Sequence, residues 1–296
     1  MKTQPTYPIY IPSRGRFENN HTAKLLLKDK TPFKLVVEPS EVDEYSSRYG
    51  AENILVLPCD NFKLVNARNW IKDHATAEGH KRHWQLDDNI RHFLRMYRAT
   101  RINCNASIAM FSVEQFVDRY TNIAIAGMNY DMFAFPQGNL PPFNTNCHVY
   151  SCSLVSNEIP HRWRLVYNDD TDLCLQVLSS GLCTVLFNAF LCDKIATMKV
   201  RGGNTPIYQD DGRLKMSRML ERVWPGVVTT GRRFNRAQHI VKSAWRKFDT
   251  KLIRREDIDW NSMEQNEFGM KVKQIAEKIK HPAIQKLVDE ASNING

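Results

Sequence analysis

Arg82-His83-Trp84-Gln85-Leu86-Asp87-Asp88-Asn89 is the stretch on which the fold turns. Its first five residues read as a strand around Trp84 and Leu86, and the strand stops at three consecutive oxygen-bearing side chains. Outward from it, toward the N-terminus, the same unit recurs. Tyr7-Pro8-Ile9-Tyr10-Ile11 is a strand broken by Pro12-Ser13-Arg14-Gly15-Arg16, and 18–28 has a helical pattern. Phe33-Lys34-Leu35-Val36-Val37 is a second strand, ending at Glu38; Ser40 can cap a helix that Gly50 ends. Asn53-Ile54-Leu55-Val56-Leu57 is a third strand, followed by a helix over 64–77. Strand–helix alternation at this spacing predicts a parallel, Rossmann-like sheet with helices on both faces. Ligands of such sheets bind at the carboxyl ends of the strands, so the loops at 12–16, 38–40, 58–66 and 87–89 should line one site.

The second half is less regular. Ser112 and Gln115 form a capping-box pattern for a helix to about Tyr120. Residues 123–125, 147–155 and 184–187 read as strands. A helix follows Asn168, with Leu173, Val177 and Leu178 on one face and Gly181 at its end. From Gly202 the pattern turns to loops and basic helices, with an amphipathic helix over 267–280. The expected division is a larger region over 1–200, in two halves (1–110 and 111–200), and a basic C-terminal region over 201–296.

At 296 residues, 42% hydrophobic and 25% charged, the composition excludes disordered, collagen-like and coiled-coil chains. No 18-residue apolar run exists, so neither a transmembrane helix nor a membrane partner is expected. Met1-Lys2-Thr3-Gln4-Pro5 leads into no signal-peptide region. Seven cysteines without a CxxC spacing read as reduced thiols of a cytoplasmic protein.

Net charge is +9, but residues 194–257 alone hold sixteen Lys/Arg against six Asp/Glu. The remainder is therefore close to neutral. The densest part carries Arg232, Arg233, Arg236, Arg246 and Lys247, interleaved with Phe234, His239, Trp245 and Phe248. Cations with aromatics suit a polyanion, where ammonium and guanidinium groups meet phosphates and rings stack on bases. A solvated helix face would look similar; the regional excess favours nucleic acid.

Asp87, Asp88 and Asn89 offer oxygen ligands suited to Mg²⁺ or Mn²⁺, with Asp87 and Asn89 as the candidate ligands. Alone, such a run is equally an acidic turn. Asn168-Asp169-Asp170-Thr171-Asp172 is a second acidic cluster, where one carboxylate is a general base or merely a helix cap. Ser13, Arg14 and Arg16 sit in a loop that can approach a diphosphate. Glu38 can accept from a nucleobase or ribose, and Asn66 and Arg68 open the third helix. Cys147, His148 and Cys152 are poorly spaced for zinc.

In this order and spacing, the Ser13–Arg16 loop, Glu38, Asn66-Ala67-Arg68-Asn69, Asp87-Asp88-Asn89 and Asn168-Asp169-Asp170-Thr171-Asp172-Leu173 resemble GT-A glycosyltransferases over about residues 7–195. The first acidic cluster resembles the DxD motif for ribose and metal, with Asn89 where many members have Asp. The second resembles the motif that carries the base of inverting members, with Asp169-Asp170 in place of Glu-Asp. Further on, Lys199-Val200-Arg201-Gly202-Gly203-Asn204, Leu220-Glu221-Arg222-Val223-Trp224-Pro225 and Gly231-Arg232-Arg233 with His239 and Trp245 resemble bacteriophage TET-associated glycosyltransferases.

The resemblance implies a GT-A fold, a Rossmann-like mixed sheet flanked by helices, with a basic helical C-terminal extension. It implies a UDP-linked nucleotide-sugar donor held by Ser13, Arg14, Arg16, Glu38, Asn66, Arg68, Asp87, Asp88 and a Gly202-Gly203 loop. It implies Mn²⁺ or Mg²⁺ on Asp87 and Asn89, and Asp170 or Asp169 as base. The acceptor it implies is 5-hydroxymethylcytosine in double-stranded phage DNA, bound through Arg232, Arg233, Arg236, His239, Arg246 and Lys247. Hydroxymethyluracil is an open alternative for the base, as are a glycan, lipid or protein acceptor and a metal-dependent nuclease.

Overall fold

The computed structural model describes residues 4–97, 99–135, 140–195, 211–233, 236–241 and 244–260. Gly202 and Gly203, and the helix expected over 267–280, lie outside the described residues. The chain forms two compact units, Met1–Arg254 and Arg255–Gly296, and all that follows concerns the first.

The N-terminal alternation is present as expected. β1 (Ile9–Pro12), β2 (Lys34–Val37), β3 (Ile54–Val56) and β4 (Arg82–Leu86) run parallel, in the order β3-β2-β1-β4. Between them lie α1 (His21–Lys28), α2 (Val42–Tyr49) and α3 (Leu64–Ala77). α1 starts where the Asn20 side chain accepts from the Ala23 amide at 2.9 Å, three residues later than the pattern suggests. α2 ends at Gly50, whose φ of +85° is the left-handed turn that glycine makes at least cost. Ala67, Ile71 and Ala75 recur at helical spacing and pack α3 onto Tyr10, Val36 and Leu57. All five β4 residues are buried, as befits a strand covered on both faces.

Beyond β4 the sheet becomes mixed. A hairpin, β5 (Ile90–Tyr97) with β6 (Thr100–Cys104), precedes α4 (Ala106–Val117). Then come β7 (Ile123–Tyr130), β8 (Phe143–Thr145), β9 (Cys152–Ser156), α5 (Asp169–Ser179) and β10 (Cys183–Lys194). The sheet continues from β4 as β9-β7-β10-β5-β6, with β8 also on β10. β9 runs antiparallel to both β4 and β7, so β7 and β10 keep the direction of the first four strands. Gly127 permits the β7–β9 approach; a Cβ there would lie 2.4 Å from the Cys152 carbonyl oxygen.

Two expectations are corrected here. Ser112 does not cap a helix: Asn105 caps α4 through the Ser107 amide, and the Ser112 hydroxyl bonds back to the Ile108 carbonyl one turn earlier. The capping-box pattern was a coincidence inside a helix already under way. Residues 147–151 are not strand; the chain pairs only from Cys152, after Asn146 and Ser151 adopt positive φ.

The basic region is not all helix. α6 (Gly212–Val223) is followed by a hairpin, β11 (Thr229–Arg233) with β12 (Arg236–Ile240), and a four-residue α7 (Ala244–Lys247). Trp224 anchors α6 by donating its indole N–H to Asp172 of α5 at 2.7 Å, and Leu220 and Val228 pack on Leu165 and Leu175. No helix among the described residues is long and apolar enough to cross a membrane.

Candidate active site

The carboxyl ends of β1, β2, β4, β7 and β10 set the site. Ser13, just past β1, is buried; its hydroxyl donates to Asp88 at 3.0 Å and shares a 2.7 Å bond with the Tyr45 hydroxyl. Arg16 pairs with the other Asp88 oxygen at 2.5 Å. Burial pushes the Asp88 carboxyl above its usual range, and Arg16 opposes that shift. Glu38, past β2, is buried; it accepts from the Phe62 amide at 2.8 Å and pairs with Arg14 at 3.4 Å. Arg14 is itself half exposed and reaches Asn61. Asn66 lies exposed in the first turn of α3.

Asp87 is the most heavily partnered of these groups. One carboxylate oxygen accepts from Lys194 Nζ at 2.5 Å and from Ser151 Oγ at 2.7 Å; the other faces Arg68 at 3.4 Å. Burial disfavours its charge, but Lys194 and Arg68 outweigh burial and hold the carboxyl below its usual range. Lys194 also donates to the Tyr130 hydroxyl and to Ser151 Oγ, which fills its three N–H positions.

Arg68 joins the two acidic clusters. Its Nε lies 2.9 Å from Asp169, an ion pair whose angle falls short of a hydrogen bond, while its other nitrogens face Asp87 and Gln85. Asn168, in the left-handed conformation, turns the chain into α5, so Asp169 and Asp170 sit in the first turn, where free backbone N–H groups favour negative charge. Asp170 faces His148 Nε2 at 3.3 Å and accepts from the Thr171 amide. Against burial, His148 holds the Asp170 carboxyl low, while burial and the neighbouring carboxylates raise Asp169. Asp172 plays a structural part, paired with Arg164 and bonded to Trp224.

His148 and Lys194 line a cavity of about 500 Å³ together with Tyr130, Met132, Phe133, Arg213, Arg236 and His239. The hairpin thus brings residues far along the chain to the acidic clusters. Burial, with His148 adding to it and Asp170 opposing, holds His239 below the usual histidine range. Arg232, Arg233 and Arg236 are exposed near the hairpin turn, and Arg246 and Lys247 are exposed on α7.

A divalent ion does not fit the donor set. Both oxygens of Asp87 and both of Asp88 are taken by cations or hydroxyl donors. Asn89 Nδ2 donates to the Ile195 carbonyl, leaving only its buried Oδ1 unpartnered. One amide oxygen is a poor site for an ion that takes about six oxygen ligands. Among the described residues no three His, Cys, Asp or Glu side chains cluster for a metal.

Lys194, Ser151, Tyr130 and His148 were not legible as site residues, apart from His148 in the rejected zinc pattern. Lys194 is an ordinary lysine at the end of a twelve-residue strand, and only the sheet order sets it beside Asp87.

The family described as TET-Associated Glycosyltransferase matches residues 7–203. Among solved structures, the chain is similar to one named as a nucleotide-diphospho-sugar transferase, from Desulfovibrio desulfuricans G20. Identity is 9%, the TM-score 0.37, and the match covers 62% of this chain and 80% of that one. No curated protein matches.

Proposed function

The chain belongs to the TET-associated glycosyltransferase family, and we propose on that premise that it moves a sugar from a UDP-linked donor to the hydroxymethyl group of 5-hydroxymethylcytosine in DNA. The observation that carries this reading is one cavity lined both by Lys194 and His148 and by Arg236 and His239 of the basic hairpin.

On the donor side, Glu38 and Arg14 suit the nucleoside, while Arg16, Arg68 and Lys194 supply positive charge for a diphosphate. Ser13 and Asp88 fix Arg16 in place. No step is drawn through a metal, since the donors do not fit one.

On the acceptor side, Asp170 with His148 forms the base. A free alcohol is a weak nucleophile and needs a proton acceptor within hydrogen-bond reach. The hydroxymethyl proton passes to His148 Nε2 of the unprotonated pair, with the Asp170 carboxylate stabilising the imidazolium that forms, as the acceptor oxygen attacks the anomeric carbon. The bond from that carbon to the diphosphate breaks, and the nucleoside diphosphate leaves with both electrons. Asp169, turned toward Arg68, keeps that guanidinium on the donor side.

Several features support DNA as acceptor. Arg233 and Arg236 stand directly opposite each other across the hairpin, a like-charge pair that costs stability unless an anion lies between. Phe133 lines the cavity and is 58% exposed; its ring packs 5.8 Å from that of Tyr130, and its exposed part offers a surface on which a base can stack. A hydroxymethyl group projects into the major groove of the duplex, and its transfer inside the cavity would require extrusion of the base.

The test is incubation of hydroxymethylcytosine-containing, hydroxymethyluracil-containing and plain DNA with a panel of nucleotide sugars, read by nucleoside mass spectrometry. A glycosylated hydroxymethylcytosine nucleoside is expected. Transfer to hydroxymethyluracil alone, or to a glycan and never to DNA, sinks the acceptor; strand cleavage without a nucleotide sugar points to a nuclease.

A further inference from the structure

We infer that the Lys194 ammonium, held on Asp87, takes the place of a divalent cation in neutralising the donor diphosphate. The inference rests on the reading above that the donor is a nucleotide-diphosphate sugar.

A leaving diphosphate gains negative charge as the sugar departs, and a preorganised cation lowers that cost. The position where the family resemblance puts a metal is the strand-end carboxylate of Asp87. There the structure sets an ammonium, 2.5 Å from Oδ2. A divalent ion on that oxygen would have to displace Lys194 and then sit among Lys194, Arg68 and Arg16, with Asn89 Oδ1 as its one unclaimed protein oxygen among the three residues of the run.

Lys194 is also placed to reach a ligand. It is the last residue of β10, and Tyr130 is the last of β7, so both lie at the carboxyl edge where ligands of such sheets bind. Its side chain is 13% exposed yet lines the cavity, so an anion there meets the charge with little screening. Two of its three acceptors, Tyr130 Oη and Ser151 Oγ, are neutral and can be exchanged for a diphosphate oxygen. Asp87 then keeps the ammonium aimed into the cavity. Arg68, from α3, supplies a second fixed cation on the other Asp87 oxygen.

The test is calorimetric titration of the full chain with UDP, GDP, CDP and dTDP, in EDTA, in Mg²⁺ and in Mn²⁺. One diphosphate should bind, with an affinity that differs by less than about threefold between the three buffers. Lys194→Ala should weaken binding in EDTA by about tenfold or more, the size of a lost charge-assisted contact, and Lys194→Arg should recover most of it. Wild-type binding that weakens about tenfold on chelation, or a Lys194→Ala protein that binds like wild type, overturns the inference and leaves the donor reading standing. If Lys194→Ala does not fold, judged by circular dichroism, the wild-type comparison decides alone. Binding of none of the diphosphates in any buffer removes the nucleotide-sugar donor and this inference with it.

Discussion

Arg68 touches both acidic clusters, and that one side chain separates the roles of two adjacent carboxylates. Asp169 is turned to Arg68 and Asp170 to His148, so neighbours in sequence meet different partners. Asp170→Asn should therefore keep donor affinity and lose rate by about 10²–10⁴-fold, the usual range for a lost general base. His148→Ala should lose rate in the same sense, because it removes the partner that the acceptor meets. Single-turnover transfer reads both. A dead Asp169→Asn beside an active Asp170→Asn would reverse the roles and leave Asp170 as a helix cap.

At the scale of elements, the β11–β12 hairpin carries cations that a helical reading would have spread around a cylinder. In a hairpin Arg232 and Arg233 sit next to Arg236 at one end. If they meet phosphates, each contact contributes about −0.9 to the slope of log K against log salt on duplex DNA. Replacing Arg232 and Arg233 together should flatten that slope by about 2 and weaken modified and plain DNA alike, because phosphate contacts carry no base information. Fluorescence anisotropy across a salt series measures it; an unchanged slope returns the hairpin to a solvated surface. The start of α4 has its own test. Asn105→Ala should lower stability by about 1 kcal/mol in urea unfolding, as for a lost N-cap. Ser112→Ala should cost far less than that, since its hydroxyl only bonds back within the helix.

Across the whole molecule, two buried groups couple stability to pH in opposite senses. Burial raises Glu114 from 4.5 to about 7, although it accepts from the Thr6 and Tyr7 amides and the Trp84 indole. The native chain therefore holds a proton that the unfolded chain has released between about pH 4.5 and 7, and stability falls as pH rises through that window. Burial lowers His83 from 6.5 to about 3. There the unfolded chain holds the extra proton, and stability rises with pH between about 3 and 6.5. From about pH 4.5 to 6.5 the two slopes, each up to about 1.4 kcal/mol per unit, offset each other. Glu114→Gln removes one of them, so its stability relative to wild type should climb with pH across that window. Parallel pH profiles of the two proteins in urea unfolding would contradict this.

The sequence by itself determined the β–α alternation of the first ninety or so residues, the strand-end position of Asp87, Asp88 and Asn89, and the helix-start position of Asp169 and Asp170. Those features are written in local patterns: residues 82–86 form a short strand that stops at two acids, and α3 runs from Leu64 to Ala77 as its periodicity predicts. Only the tertiary structure decided what those acids face. Lys194 meets Asp87 across 107 positions of sequence, and His148 meets Asp170 across more than twenty, because β9 inserts between β4 and β7 and sets the strand ends side by side. No local pattern encodes that order, since it depends on which strands bury each other's faces. The ammonium beside Asp87 was therefore invisible in the run of oxygen ligands and became readable only from the neighbours of Asp87 in space.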